Sequence, residues 1–142
     1  MGENESMFMK EKAIEQPLTI ILEEGDDILE SLKKALEEQD AKEFKIVEMS
    51  GFWKEGFMNY FLKNSFKSRK SFDIERITAG SGKFVKEGNE FRGDLHIVVA
   101  LGNQRINGTL LEGKAAKELT IKAKFPKFLA PEAKTEEKTA LV

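Results

Sequence analysis

Apolar positions recur with two different periods along this chain, and the period predicts which segments are helical and which are extended. Directly after Gly25, apolar residues recur every three or four positions, which is the spacing of one helix face. This stripe consists of Ile28, Leu29, Leu32, Ala35 and Leu36. Asp26 or Asp27 can cap the helix, and Asp27 with Glu30 resembles a capping box. The sequence therefore predicts one amphipathic helix near the N-terminus.

The other apolar segments have the alternation or the short runs that are typical of strands. The strand candidates are residues 18–22, 44–49, 71–78, 83–86, 91–101, 104–110 and 117–125. Residues 52–62 fit a helix face as well as a strand, but Gly51 and Gly56 favour a loop followed by a strand. Turns are predicted at residues 80–82, 87–89 and 102–103. One helix ahead of an antiparallel or mixed β-sheet is an α+β fold.

The length and composition indicate one globular domain. The chain has 142 residues, of which 40% are hydrophobic and 34% charged, enough for one sizeable core. Because both ends are polar, we expect a flexible N-terminal arm at residues 1–16, one domain at 17–126 and a flexible C-terminal tail at 127–142. The absence of cysteine, of a basic leader and of a membrane-length apolar run predicts a cytoplasmic protein without a membrane partner.

Charge is divided unevenly between the two parts of the chain. Residues 1–48 hold 6 basic and 14 acidic side chains, a balance of −8, whereas residues 49–142 hold 17 basic and 11 acidic ones, a balance of +6. A basic half can form a nucleic-acid surface, or the two halves can attract each other within the fold or between subunits. The total charge of −2 favours the second interpretation.

The chain has a single histidine, His96, inside its most strand-like segment. In an extended strand, Leu95 and Ile97 point toward the core, so His96 points to the opposite face. Structural zinc sites use four His, Cys or carboxylate ligands, and nucleophilic triads need a histidine with a nucleophile and an orienting acid. One histidine without any thiol favours a binding module over an enzyme and predicts no cofactor. The competing interpretation, which a lone histidine favours, is a partly buried side chain hydrogen-bonded to a neighbour.

Several motifs in order resemble the plants-and-prokaryotes conserved (PPC) domain family. The segments LHIVVALG at 95–102 and INGTLLEG at 106–113 are similar to its Leu-His-x-His strand and its Gly-Gly-His-Leu-x-x-Gly turn and strand. GDDILESL at 25–32 is similar to its opening of a glycine, an acid and an amphipathic helix, and residues 49–51, 59–61 and 72–78 resemble its glycine loop and following strands. The resemblance spans residues 18–125 and implies a compact α+β domain that assembles as a homotrimer.

In many prokaryotic members of this family, three histidines near a subunit interface look able to hold a metal. At the matching positions this chain has His96, Val98 and Thr109, so two of the three ligands are replaced and the resemblance implies no metal site here. A small-molecule site between subunits is the alternative. Its candidate ligand-binding residues are His96, Thr109, Glu112 and Arg105, and an enzyme of this kind would use His96 as a general base.

The strongest local basic cluster lies at residues 63–70. Its candidate nucleic-acid contacts are Lys63, Lys67, Arg69 and Lys70, with Phe66 between them as a group on which a base can stack. A solvated loop between two strands fits the same residues. Together with the resemblance, the sequence predicts a non-catalytic homotrimeric PPC-type module that serves as a proposed DNA-binding or regulatory protein. The alternative is a small-molecule or metal-dependent binder or enzyme around His96.

Overall fold

The computed structural model describes residues 13–128, and in this range the chain forms six strands and one helix. The elements in chain order are β1 Ala13–Leu22, α1 Ile28–Glu37, β2 Glu43–Leu62, β3 Ser65–Ser71, β4 Glu75–Glu87, β5 Glu90–Leu101 and β6 Gln104–Phe128. Residues 13–16, placed in the arm by the sequence, pair with the end of β6. The rest of the expected arm and the expected tail beyond residue 128 lie outside the described residues.

All strand pairings in this range are antiparallel, and they close a ring of four strands. β2 pairs with β4 on one side and with β6 on the other, while β5 joins β4 to β6. β1 is added along the end of β6, and β3 is added along the end of β2, so these two are edge strands. The α+β prediction is confirmed, with the strands far outnumbering the one helix.

The helix forms where the sequence predicts it. The Asp27 carboxylate accepts a hydrogen bond of 2.9 Å from the Glu30 backbone N–H, which satisfies one of the unpaired donors of the first turn. Ile28, Leu32 and Leu36 are fully buried against the sheet, and Glu30 stays in solvent. The three- and four-residue spacing thus identified the buried face of α1.

The sequence was wrong about where several strands break. Residues 52–62 were expected to be a loop and then a strand. They are instead the second half of the single 20-residue strand β2. Register shifts between Gly51 and Trp53 and between Lys54 and Phe57 bend this strand, and Glu55 has a φ of 50° at the second of them. The candidates at 104–110 and 117–125 are likewise one strand, β6, whose pairing with β2 includes Glu112, Lys114 and Ala115 between them.

Three further boundaries differ from the sequence-based expectation. The candidate at 71–78 is not one strand, because β3 ends at Ser71 and β4 begins only at Glu75. Residues 80–82 are no turn but lie inside β4, where Gly80 and Gly82 let neighbouring groups approach. The segment 63–70 is no loop, because Lys63 and Asn64 alone make the turn and β3 follows at once. The turns at Gly88 and Gly102 are confirmed, with φ values of 65° and 60° that favour glycine.

The core lies inside the ring and beneath α1. Phe44 packs against Phe91 and Phe125 with ring centroids 5.6 and 5.3 Å away, and Trp53 is fully buried. No helix within residues 13–128 is long and apolar enough to cross a membrane. Because the core packs tightly against the inner face of the sheet, the outward side chains are held on a stable surface, and the candidate sites lie on that surface.

Candidate functional sites

His96 lies on the outer face of the ring, as its position in the strand predicts. Leu95 and Ile97 are buried, whereas His96 is exposed and faces Thr109 across the β5–β6 pair. The Thr109 Oγ1 and the His96 Nδ1 are 3.3 Å apart. Both residues line an open groove of about 670 Å³, together with Val98. The groove is wide enough for a small molecule, and its walls are mainly apolar.

Only two of the four candidate ligand-binding residues meet within one chain. Arg105 lies opposite Ala100 near the β5–β6 turn and does not line the groove. Glu112 lies opposite Phe57 and lines a second, smaller groove of about 300 Å³ instead. Within residues 13–128, one chain therefore offers an imidazole and a hydroxyl at the His96 groove, and no carboxylate lines it.

The donor set at His96 does not fit a metal ion. Val98 has no lone pair to offer, and a neutral threonine hydroxyl such as that of Thr109 is a poor ligand for zinc. Among residues 13–128, no group of three or more His, Asp or Glu side chains is close enough to share an ion. Of the three matching positions, only His96 therefore brings an ordinary zinc ligand to this groove.

The basic cluster at residues 63–70 occupies the turn and the second strand of a hairpin that β2 and β3 form. Lys63 and Asn64 have φ values of 50° and 62°, the pair of left-handed residues that a type I′ turn requires. Lys63, Lys67 and Lys70 are exposed, and none of them pairs with a carboxylate among the described residues. Residues 56–72 include no Asp or Glu, so the hairpin has a local excess of positive charge.

Arg69, the fourth candidate of this cluster, points inward and is bound to Glu75. Its Nη1 donates to the Glu75 Oε1 at 2.8 Å, and its Nη2 donates to the second carboxylate oxygen. Trp53 Nε1 donates to the same carboxylate at 3.1 Å. This buried network joins the hairpin to the start of β4. Because both terminal nitrogens of Arg69 donate to Glu75, its guanidinium is not available to bind a phosphate.

The network perturbs the protonation of both charged partners. The hydrogen bonds from Arg69 hold the pKa of Glu75 below its ordinary value, against the opposing effect of burial, and the Trp53 hydrogen bond adds to the lowering. The Glu75 carboxylate in turn raises the pKa of Arg69. Sequence reasoning missed Glu75, although an acid two residues before the inward-facing Ile77 signals a charge that needs a buried partner.

The outward face of the hairpin forms a continuous row that we call the aromatic stripe. It consists of Phe66, Ser68 and Lys70 on β3, with Phe61, Asn59 and Phe57 opposite them on β2, and of Phe72, which directly follows the end of β3 and borders the same groove as Phe57 and Lys70. The Phe61 and Phe66 rings lie 5.4 Å apart, the Ser68 hydroxyl donates to the Asn59 amide oxygen at 2.7 Å, and the Lys70 ammonium lies 5.4 Å from the Phe57 ring. Sequence reasoning singled out only Phe66 of these aromatic side chains.

Comparison with known proteins identifies a matching family and several solved structures with the same fold. The Plants and Prokaryotes Conserved (PCC) domain model matches residues 9–122. A metal-containing protein from Archaeoglobus fulgidus has a TM-score of 0.67 and 14% identity, covering 82% of this chain and 83% of the other. A plant- and prokaryote-conserved protein from Pyrococcus horikoshii has the same TM-score and coverage at 16% identity. A proposed DNA-binding protein from Ralstonia eutropha has a TM-score of 0.64 and 18% identity, covering 87% and 92%.

At these identities, the structural similarity shows a shared fold alone. A comparison with curated proteins finds no match to this chain.

Proposed function

This chain belongs to the Plants and Prokaryotes Conserved domain family, and we propose that it is a non-catalytic, homotrimeric binding module of the cytoplasm that contacts nucleic acid. The observation that carries this proposal is the β2–β3 hairpin, whose 17 residues from 56 to 72 include three exposed lysines and no acid. Phosphate contacts from lysine and arginine provide most of the affinity of non-specific DNA binding. The name of the Ralstonia eutropha protein, a proposed DNA-binding protein, supports the same ligand class.

The arrangement of the cations favours contact with a backbone rather than with base edges. Lys63 is at the tip of the hairpin, and Lys67 is exposed four residues later. Lysine contacts phosphate as a point charge, and such contacts position a protein on DNA without reading its sequence. We therefore expect weak, salt-dependent binding without sequence preference, which three copies of the hairpin in one assembly strengthen.

Replacing Lys63 and Lys67 together with alanine is expected to weaken binding to unrelated DNA duplexes by a similar factor. Two phosphate contacts are lost for each hairpin that touches the DNA, so the plot of log affinity against log salt becomes shallower by about two per engaged hairpin. Fluorescence anisotropy of labelled duplexes over a range of salt concentrations measures both quantities. The matched control replaces Lys33 and Lys34, which are exposed on α1, and should leave the slope unchanged. An absence of salt-dependent binding by the unmodified protein at micromolar concentration refutes the nucleic-acid part of the proposal.

The trimer is tested separately by the mass of the assembly. Apolar side chains away from the hairpin stay exposed in the single chain, namely Ile14, Ile21 and Val47 at 48%, 59% and 42%. Covering such side chains between copies is favourable, which supports self-association. Light scattering should give three times the chain mass of 16.1 kDa. A stable species at the mass of one chain contradicts the trimer.

The His96 groove supports a second candidate function, a small-molecule binder or enzyme with a pocket between subunits. Its specific observation is the pair of His96 and Thr109 in a groove of about 670 Å³. On the primary proposal, His96→Ala keeps DNA affinity, the mass of the assembly and the free energy of unfolding within about 0.5 kcal/mol, because the exposed ring makes one weak contact. Mass spectrometry of the purified assembly distinguishes the two candidate functions. A metabolite that is present in the unmodified protein and lost with His96→Ala favours the small-molecule binder or enzyme.

A further inference from the structure

The aromatic stripe presents three exposed phenylalanine rings beside the lysines of the hairpin. Phe61, Phe66 and Phe72 are 61%, 72% and 78% exposed; Phe61 and Phe66 face each other across the hairpin, and Phe72 follows six residues after Phe66, just past the end of β3. We propose that this stripe binds single-stranded nucleic acid, with bases stacked on Phe66 and Phe72 and phosphates held by Lys70 and Lys63. The inference deepens the proposed function, since it rests on nucleic-acid binding by the hairpin and names the form of nucleic acid.

The stripe has the two components that non-specific single-strand binding requires. Such proteins combine cations that follow the backbone with aromatic rings on which successive bases stack. Lys70 lies on the stripe between Phe66 and Phe72, and Lys63 lies at its end in the turn. Residues 56–72 contain no carboxylate, whereas Asp27, Glu55 and Glu112 line the groove that Phe57, Lys70 and Phe72 border, so the excess of positive charge is greatest toward the hairpin turn. Cations and rings therefore alternate along one face.

The dimensions and the stiffness of the stripe suit a short single strand. At about 3.3 Å per residue, the distance from Phe66 on β3 to Phe72, one residue beyond its end, is at most roughly 20 Å, enough for a few nucleotides. The Ser68–Asn59 hydrogen bond ties the two strands together between these rings. The Arg69–Glu75 pair fixes the opposite face of the same hairpin to β4. Rings on a surface held in this way lose little freedom when a base stacks on them.

Base faces are the reason to prefer a single strand over a duplex. In a duplex the faces of the bases are stacked on one another, so an exposed phenylalanine gains little from contact with it. The lysines serve either form, because both have a phosphate backbone. The contribution of the rings to affinity can therefore be distinguished from that of the lysines by comparing binding to a single strand with binding to a duplex.

The decisive experiment measures the affinity of the full chain for a labelled oligothymidylate and for a labelled duplex of equal length. Replacing Phe66 and Phe72 together with leucine keeps apolar volume and removes the stacking faces. We expect the affinity for the single strand to fall at least about tenfold, with an unchanged salt slope and less than about a twofold change for the duplex. The matched control is Phe52→Leu, since Phe52 also carries a lysine over its ring but lies outside the stripe.

Each other outcome overturns the stacking proposal in a distinct way. Equal losses for both nucleic acids, or no loss for either, show that the rings do not stack on bases, while a retained salt-dependent affinity leaves the proposed function standing. A change in the mass of the assembly by light scattering shows that another copy of the chain covers the stripe. Absence of binding to both probes by the unmodified protein removes the proposed nucleic-acid function together with this inference.

Discussion

Replacing Glu75 with glutamine is expected to lower the free energy of unfolding by about 2 kcal/mol at neutral pH. The Glu75 side chain is only 6% exposed, and it accepts hydrogen bonds from Arg69 and Trp53. Removing one charge of a buried pair costs roughly 3–5 kcal/mol, and the 23% exposure of Arg69 reduces that figure because water can solvate the remaining guanidinium. Unfolding in urea, followed by circular dichroism, measures the difference.

The effect of Glu75→Gln should depend on pH with a defined sign. The pKa of Glu75 is lower in the folded chain than its ordinary value of 4.5, so the folded state favours the charged form. Its contribution to stability is therefore fully present above pH 4.5 and is lost as the pH falls through the lower folded pKa. The stability difference between the unmodified protein and the variant should shrink as the pH falls below about 4.5.

A surface pair provides the control for this prediction. Glu43 and Lys83 are 3.6 Å apart and both more than half exposed, so Glu43→Gln should change stability by less than about 1 kcal/mol. If the two variants lose the same stability at neutral pH, the Glu75 network does not anchor the hairpin. A Glu75→Gln variant with a loss that does not vary with pH would contradict the charge-based explanation.

The second large effect is expected from Gly82→Ala, which should destabilise the fold by about 3 kcal/mol. A Cβ at Gly82 would lie 2.2 Å from the backbone oxygen of Asp94 on the neighbouring strand β5. A backbone oxygen has no flexible end to move aside, so β4 and β5 must separate, and overpacking of this kind costs roughly 1–3 kcal/mol or more. Ser81, next to Gly82, pairs with His96, so the His96 groove should distort as well.

Gly88→Ala separates the loss of glycine itself from the steric clash. Gly88 has a φ of 65° in the turn after β4, and nothing lies within 4 Å of its added Cβ. The backbone strain of a left-handed alanine costs roughly 1–2 kcal/mol. Thermal unfolding of both variants should show the larger loss for Gly82→Ala, and the opposite order would contradict the close approach of β4 and β5.

Features set by neighbours in the sequence could be predicted without the structure. The cap and buried stripe of α1 follow from residues within one or two turns of each other. The outward position of His96 follows from the two-residue period of its own strand, because Leu95 and Ile97 have to be buried. The turns at Gly88 and Gly102 follow from residues that tolerate positive φ. In each case the determining interaction spans only a few residues.

The candidate sites were only partly predictable, because their composition depends on pairing between distant segments. The sequence identified the basic cluster, yet only the fold turns Arg69 inward to Glu75 and leaves Lys63, Lys67 and Lys70 outside. It aligned Thr109 with His96 through a family resemblance, and the β5–β6 register brings their side chains together. Arg105 and Glu112 are close in sequence to Thr109 but lie outside the groove, since the strand carries them away from it.

The sequence by itself determined the one helix, the strand-rich α+β class, the family and the alternation of strand β5, since these follow from local periodicity and ordered motifs. Only the tertiary structure decided that β2 and β6 run unbroken and that Gly82 belongs to a strand. Ladder partners and close backbone contacts come from segments far apart in the chain, so a glycine that locally favours a turn is held extended by its neighbours. The β2–β3 hairpin brings three exposed phenylalanine rings and three exposed lysines together.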